Sequence, residues 1–358
     1  MNLKLIILIV VLLAKTSICN AQGTTQVYSQ NKEANSYYAK ALHYIEIGTP
    51  SKGGSPDSLQ IAVQYLQKAV KADPNFVNAY IELCRTYWKF NFSFPNYIKY
   101  YGNAPSILPK AKIAISKALR IDSASSHAYS ELGRMNLFYE YKFDEALKNF
   151  AKAIKYDSTN AANYAYYGET LALQGKWDEA QQWLGKANKI SPNDASVLVT
   201  TGWYYHWQRK YDTAEQYFNK INPESWARAF YLCLNDIAKG KAAQGVEILK
   251  SFDPSGNGIL ANGGTKALLA YALIKSGQID EARKLLKKTE ELNQVVNYRS
   301  AICYVALGEY DKAFELLNNE LNEQHDNWLI WLKYDNAWDA VHNDKRYKEV
   351  LKKMPFDK

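Results

Sequence analysis

The chain has 358 residues, and 47% of them are hydrophobic, which is enough apolar material for a full core and excludes global disorder. Lysine and arginine outnumber the acids 44 to 36, but acids are interleaved with the bases throughout, which favours a mixed solvated surface over a nucleic-acid-binding one. Only 18 glycines and 10 prolines occur, a composition typical of helices joined by short turns rather than of a sandwich or barrel.

The N-terminus has the pattern of an export signal. Lys4 supplies a positive start, residues 5–14 form an apolar run that is short for a membrane span, and a cleavage-like stretch follows. We therefore expect residues 1–21 to be a signal peptide and the mature chain to be periplasmic or secreted. A lipid anchor at Cys19 is the alternative, although Ile18 is bulkier than lipoprotein signals usually allow.

Three cysteines remain beyond this segment. They form an odd count and no CxxC pair, which argues against a disulfide framework and against a zinc site. Because each lies within an apolar helical pattern, we expect small buried residues at Cys84, Cys233 and Cys303.

One short motif recurs along the chain: an aromatic residue or isoleucine, then aspartate, any residue, and alanine. Its copies are Phe143–Ala146, Trp177–Ala180, Tyr211–Ala214, Ile279–Ala282 and Tyr310–Ala313. The alanines at 146, 180, 214, 282 and 313 are separated by 34, 34, 68 (twice 34) and 31 residues. A fixed period of this length indicates an array of similar structural units.

Each motif lies in a pair of predicted helices. A large apolar residue follows each alanine by four positions, and the preceding helix carries a small residue, such as Gly168 or Gly202, that lets the two helices approach closely. The series resembles the tetratricopeptide repeat, W-x2-L-G-x2-Y, then A-x3-F, then P. Residues 164–192 follow that pattern almost in full.

The resemblance implies an all-α, right-handed superhelical solenoid of about eight helical hairpins over residues 32–324. The expected hairpins are 32–74, 75–123, 125–158, 160–192, 194–223, 225–254, 260–293 and 294–324. The sixth is the least regular, because Gly245 occupies the place of the alanine.

Two stretches interrupt the period. Residues 90–109 form an aromatic-rich insertion in the second hairpin, which is either a loop packed on its own hairpin or a lid over one end of the groove. Residues 255–264 are rich in glycine and asparagine and are typical of a flexible connection.

The C-terminal residues 325–358 have a different pattern, with apolar positions that include Trp328, Trp331 and Trp338. We expect a capping segment with a helix that covers the core surface left by the last hairpin. This tail is similar to that of tetratricopeptide modules in bacterial signalling proteins.

The family's concave wall is formed by the first helix of each hairpin, and one stripe of that helix recurs at i, i+3 and i+4. The predicted ligand-binding residues on this stripe are Arg85, Trp88, Lys89, Arg134, Phe138, Trp203, His206, Trp207, Tyr271 and Lys275. The tryptophans are either anchors for a partner or fillers of the inner wall. The basic residues either attract acidic groups or are solvated.

No motif of a catalytic, nucleotide-binding or metal site occurs, and the histidines lack ligand spacing. We expect no enzyme activity, no cofactor and no bound metal. Since Glu169 is the sole acid on the stripe, a helical glycan-processing enzyme is the weakest hypothesis. The leading function is an exported scaffold that binds a protein or peptide in its groove. The alternative is an accessory or sensor subunit that docks on a membrane complex through its C-terminal cap.

Overall fold

A computed structural model describes residues 28–48, 56–93, 104–252, 263–292, 295–323, 327–354 and 356, and these residues form helices and no strand. The expected signal peptide with Cys19 lies outside the described residues. So do residues 94–103, which are half of the 90–109 insertion with its predicted lid, and residues 255–262 of the predicted flexible connection. None of the described helices is both long and apolar enough to cross a bilayer.

The all-helical prediction is confirmed within these ranges. Helices α1 to α16 follow one another as eight consecutive pairs, and each pair lies within one of the expected hairpins. The pairs are Lys32–Ile47 with Pro56–Ala72, Val77–Ser93 with Ala104–Ile121, Ser126–Phe138 with Phe143–Tyr156, Ala161–Leu173 with Trp177–Ile190, Ala195–Trp207 with Tyr211–Phe218, Trp226–Ala238 with Ala242–Phe252, Gly263–Lys275 with Ile279–Glu291, and Asn297–Leu307 with Tyr310–Glu323.

The two helices of a hairpin begin differently. First helices often start after a capping side chain, such as Asn160 or Asp194, whose side-chain oxygen accepts a backbone N–H of the first turn. Several second helices, such as α8, start without such a cap but carry acids in the first turn, where the helix dipole favours negative charge, as at Asp178. The turn between them reverses through a left-handed residue, for example Gly175 at φ +76°.

The small residue and the large apolar residue of each repeat pack against each other. A Cβ atom added to Gly202 would lie 2.3 Å from Phe218 Cε1, and one added to Gly133 would lie 2.7 Å from Phe150 Cε1. Both phenylalanines are fully buried. The glycine of the first helix therefore leaves a space, and the aromatic ring from the second helix of the same hairpin fills it.

In the sixth hairpin, the two small residues where the helices approach each other have exchanged sizes. Cys233 occupies the place of the small residue in α11, and Gly245 in α12 occupies the place of the alanine. A Cβ on Gly245 would lie 3.0 Å from Cys233 Sγ. The irregularity at Gly245 is thus a compensating change. The expectation that the three cysteines are buried is confirmed, since Cys84, Cys233 and Cys303 are free thiols with no exposed surface.

The C-terminal segment consists of two 3-10 helices, η1 (Asn327–Trp331) and η2 (Asn336–Val341), followed by α17 (Lys345–Lys353). Trp338 is fully buried beside Tyr298 of α15 and Phe314 of α16. This segment therefore covers the last hairpin, as a cap must.

The same segment also crosses the concave face to the middle of the array, which the sequence did not predict. Tyr334 Oη donates to the carbonyl of Leu173 at 3.3 Å, and Asn336 Nδ2 donates to Tyr211 Oη at 3.2 Å. Arg209 and Asp339 form an ion pair at 2.7 Å. The groove is therefore not an open wall along its whole length, because the chain's own end crosses the fourth and fifth hairpins.

Candidate binding site on the concave face

A partly open cavity of about 390 Å³ lies between the first helices of the second to sixth hairpins and the segment η1. More than half of its wall residues are aromatic. They are Trp88, Arg134, Phe138, Tyr166, Glu169, Ala195, Ser196, Val199, Thr200, Trp203, Trp207, Tyr231, Trp328 and Trp331. A cavity of this size and composition, with few polar groups, has the form of a small-ligand or side-chain binding site.

The structure brings five of the predicted ligand-binding residues together in this wall: Trp88, Arg134, Phe138, Trp203 and Trp207. Five others do not line the cavity: Arg85, Lys89, His206, Tyr271 and Lys275. Tyr271 is buried in α13, whereas Lys275 lies exposed at the end of the same helix.

The two groove tryptophans are covered by the C-terminal segment. Trp331 stacks on Trp207 with ring centroids 5.3 Å apart, and Trp328 meets Trp203 edge to face at 5.2 Å. Only 7% of Trp203 and 5% of Trp207 is exposed. Their rings therefore already have an intramolecular partner on the side where a bound protein was expected.

The basic residues of the stripe belong to an internal ionic network. Arg85 Nε donates to Glu131 Oε1 at 2.7 Å, and Arg85 Nη1 donates to Glu82 at 2.7 Å. Arg134 Nη1 reaches the same Glu131 at 3.4 Å. Burial alone would raise the pKa of Glu131, but the two guanidinium groups outweigh it and hold that pKa below its usual range. Arg85 and Arg134 are therefore compensated charges.

Arg134 also stacks on the aromatic wall. Its guanidinium carbon lies 4.2 Å from the Trp88 ring centroid and 5.2 Å from that of Tyr166. Cation–π contacts of this kind hold a desolvated guanidinium in place. Arg134 Nε is buried without a hydrogen-bond partner among the described residues.

His206 is buried and contacts a side chain of the next hairpin. Its Nδ1 lies 3.0 Å from Asn235 Oδ1, and Asn235 Nδ2 in turn donates to the carbonyl of Tyr211. Burial lowers the pKa of His206 to about 4, so the ring is neutral at physiological pH. Burial likewise lowers the pKa of Lys89.

Glu169 is the acidic side chain of the cavity wall. Only 6% of it is exposed, and within the described part of the chain its carboxyl makes no hydrogen bond and no ion pair. Burial raises its pKa to about 8, and the nearby charge of Arg134 offsets this only in part. A buried carboxyl without a partner costs free energy, so a ligand that satisfies it would gain affinity from this site.

Sequence reasoning missed three wall residues that share one place in the repeat. Tyr166, Thr200 and Tyr231 each lie two positions before the small residue of their first helix, at 168, 202 and 233. A second stripe, three residues upstream of the first, would have found them. Trp328 and Trp331 had no such signal, because their neighbours in the cavity are distant in the sequence.

The described residues contain no group of three or more histidine, cysteine, aspartate or glutamate side chains placed to hold a metal ion.

Comparisons with known proteins agree with the helical pairs. Residues 137–198 and residues 268–325 each match a family model described as tetratricopeptide repeat. No curated protein sequence matches the chain.

Solved structures are similar to this chain at low sequence identity, and the fold is shared with the first of the three described here. Yeast Tom70 is 15% identical, with 92% of this chain and 70% of that chain covered and a TM-score of 0.53. A tetratricopeptide repeat protein from Parabacteroides merdae is 16% identical, with 76% and 97% covered and a TM-score of 0.46. Pseudomonas aeruginosa pilF is 18% identical, with 63% and 93% covered and a TM-score of 0.42.

Proposed function

Because this chain is a tetratricopeptide-repeat protein, we propose that it is a non-enzymatic scaffold that binds a protein or peptide partner on its concave face. The fold is typical of proteins that hold a partner rather than transform a substrate. Export to the periplasm or the cell exterior is part of the proposal and rests on the pattern of residues 1–21.

One observation carries the proposal: the cavity joins an aromatic wall to a buried carboxyl, Glu169, that no described residue satisfies. Aromatic and charged groups that are shielded from solvent dominate the energetics of protein interfaces. The basic residues support it less, since Arg85 and Arg134 already pair with Glu131.

The test compares two adjacent tyrosines of α7. Tyr166 lines the cavity, whereas Tyr167 packs on Trp183 of its own hairpin at 4.3 Å between ring centroids. Partners are captured from the native cell envelope with the tagged chain and identified by mass spectrometry. We expect Tyr166→Ala to reduce capture at least tenfold and Tyr167→Ala to leave it nearly unchanged. Equal capture by both variants would contradict the concave face as the binding surface.

The export part has its own measurement. Cell fractionation followed by mass determination of the mature chain should find it outside the cytoplasm and beginning at Gln22. A mature chain that begins with a lipid-modified Cys19 would instead support the anchored alternative. A chain that retains residues 1–21 in the cytoplasm would contradict both.

The second candidate function is docking on a membrane complex through residues 325–358. The packing of the cap supports the groove over this candidate, because Trp331 is 5% exposed and Trp338 is fully buried. What α17 offers to solvent is charge, including Lys348 and Lys352. Changing both lysines to glutamate should leave partner capture intact, and loss of capture would favour the cap.

A further inference from the structure

The cavity described above holds one carboxyl group and a set of aromatic rings, and their arrangement restricts which ligands can enter. Glu169 projects from the first helix of the fourth hairpin, and its carboxyl lacks any partner among the described residues. In its ionised form this carboxyl is an acceptor only, so the group that satisfies the ionised form must be a hydrogen-bond donor.

Three rings of the wall meet nearly at right angles. Trp203 lies 5.2 Å from Tyr231 and 5.2 Å from Trp328 between ring centroids, with interplanar angles of 81° in both pairs. Packed edge to face in this way, the three rings form a fixed aromatic surface in the wall of the cavity that holds Glu169, and the alkyl chain of an organic ammonium ion can lie against that surface.

We propose that this cavity binds an organic ammonium group, whose N–H bonds donate to the Glu169 carboxylate while its alkyl chain lies against Trp203, Tyr231 and Trp328. The proposal rests on the concave face being the binding surface, and it names the chemistry that this surface takes. The ammonium belongs either to a lysine side chain of the bound partner or to a free small amine.

The other charges around Glu169 are compatible with a bound cation. Arg134 of α5 acts on Glu169, but its own charge is directed to Glu131 and to the Trp88 ring. From α15, Arg299 lies 5.3 Å from the outer ring of the set, Trp328. Burial raises the pKa of Tyr231 to about 12, so its phenol stays neutral at physiological pH.

Binding must couple to the proton on Glu169. Because burial raises its pKa to about 8, a large fraction of the carboxyl is protonated at pH 7, and an ammonium ion binds the ionised form. The affinity for an amine that stays charged should therefore rise between pH 6.5 and pH 8.5.

The experiment titrates the intact chain with n-butylammonium chloride by calorimetry, and with N-acetyl-lysine methylamide and n-butanol in parallel. Glu169→Gln keeps the shape and removes the charge, and Glu179→Gln changes an exposed glutamate of the same hairpin as the matched control. We expect the wild-type chain to bind n-butylammonium saturably at pH 8.5. Binding of n-butylammonium should be at least tenfold weaker in Glu169→Gln and in the wild-type chain at pH 6.5, and the wild-type chain should bind n-butanol at least tenfold more weakly than n-butylammonium. Glu179→Gln should bind as the wild type does.

Each outcome decides a point. Binding of the blocked lysine supports a side chain of the partner as the source, and binding of n-butylammonium alone supports a free amine. Absence of saturable binding by either amine, or equal affinity in Glu169→Gln, overturns the proposal. If partner capture still depends on Tyr166 in that case, the ammonium site fails while the scaffold function stands.

Discussion

The glycine of the repeat offers the sharpest test of how these hairpins are packed. In Gly202→Ala, the new Cβ would lie 2.3 Å from Cε1, 2.7 Å from Cδ1 and 2.9 Å from Cζ of Phe218. That ring is fully buried and has Trp203 and Tyr231 at 5.4 Å on its other sides, so it has no space into which to move. The helices must separate or the ring must leave its rotamer.

The expected change in the free energy of unfolding is the difference between two opposing effects. Overpacking of a well-filled core costs about 1–3 kcal/mol, whereas alanine in a helix interior is favoured over glycine by about 1 kcal/mol. Gly185→Ala isolates the second effect, because Gly185 lies in the exposed middle of α8 and nothing approaches its Cβ position within 4 Å. Since three ring atoms would lie within 3 Å of the new Cβ, the overpacking cost belongs in the upper part of its range, and we expect Gly202→Ala to destabilise by about 1–2 kcal/mol. We expect Gly185→Ala to stabilise by about 1 kcal/mol.

Urea unfolding followed by far-ultraviolet circular dichroism measures both changes, with the slope of the free energy against urea compared across variants. A constant slope shows that the midpoint reports stability and not a change in the unfolded state. The reasoning is refuted if Gly202→Ala unfolds at the same urea concentration as Gly185→Ala, because the ring would then not fill the space above the glycine.

Three further predictions concern the buried groups. Burial raises the pKa of Glu169 from 4.5 to about 8, so the folded chain retains a proton that the unfolded chain loses in this window, and stability falls as the pH rises through it. Glu169→Gln should remove that loss, which is on the order of a few kcal/mol, as measured by thermal unfolding from pH 5 to pH 9. Trp338→Ala empties a fully buried site and should cost about 3–5 kcal/mol in urea unfolding, more than the same change at the half-buried Trp183. Burial raises the pKa of the thiols of Cys84, Cys233 and Cys303, so they should not react with a maleimide at pH 7.5. Peptide mapping should find all three unmodified until denaturant is added.

The periodic part of the fold could be predicted because its determinants are local. Gly168 and Ala180 are twelve residues apart and pack against each other within one hairpin, where a Cβ on the glycine would lie 3.1 Å from the alanine carbonyl. The same spacing separates Gly202 from Ala214 and Cys233 from Gly245, so one pattern specifies the helices, the turn and their contact in these copies. The exchange of sizes at Cys233 and Gly245 breaks the sequence pattern, but the two residues still pack against each other.

The candidate site was predicted only in part, because half of it depends on distant contacts. Arg134, Trp203 and the other stripe residues follow from the position of each residue in its repeat. The crossing of the C-terminal segment does not follow from the repeat. Tyr334 donates a hydrogen bond to Leu173, 161 residues away, and no sequence pattern around either residue predicts this pairing. The pairing of Arg85 with Glu131 across two hairpins was missed for the same reason.

The crossing segment also affects the order in which the molecule is completed. Translation proceeds from the N-terminus, and Trp328 is added 125 residues after Trp203 (328 − 203), a delay of about 6–25 s at ordinary rates of synthesis. During that time, the inner faces of the fourth and fifth hairpins lack the tryptophans that later cover them. A nascent or truncated chain that ends before residue 327 therefore presents an apolar surface of the kind that chaperones bind.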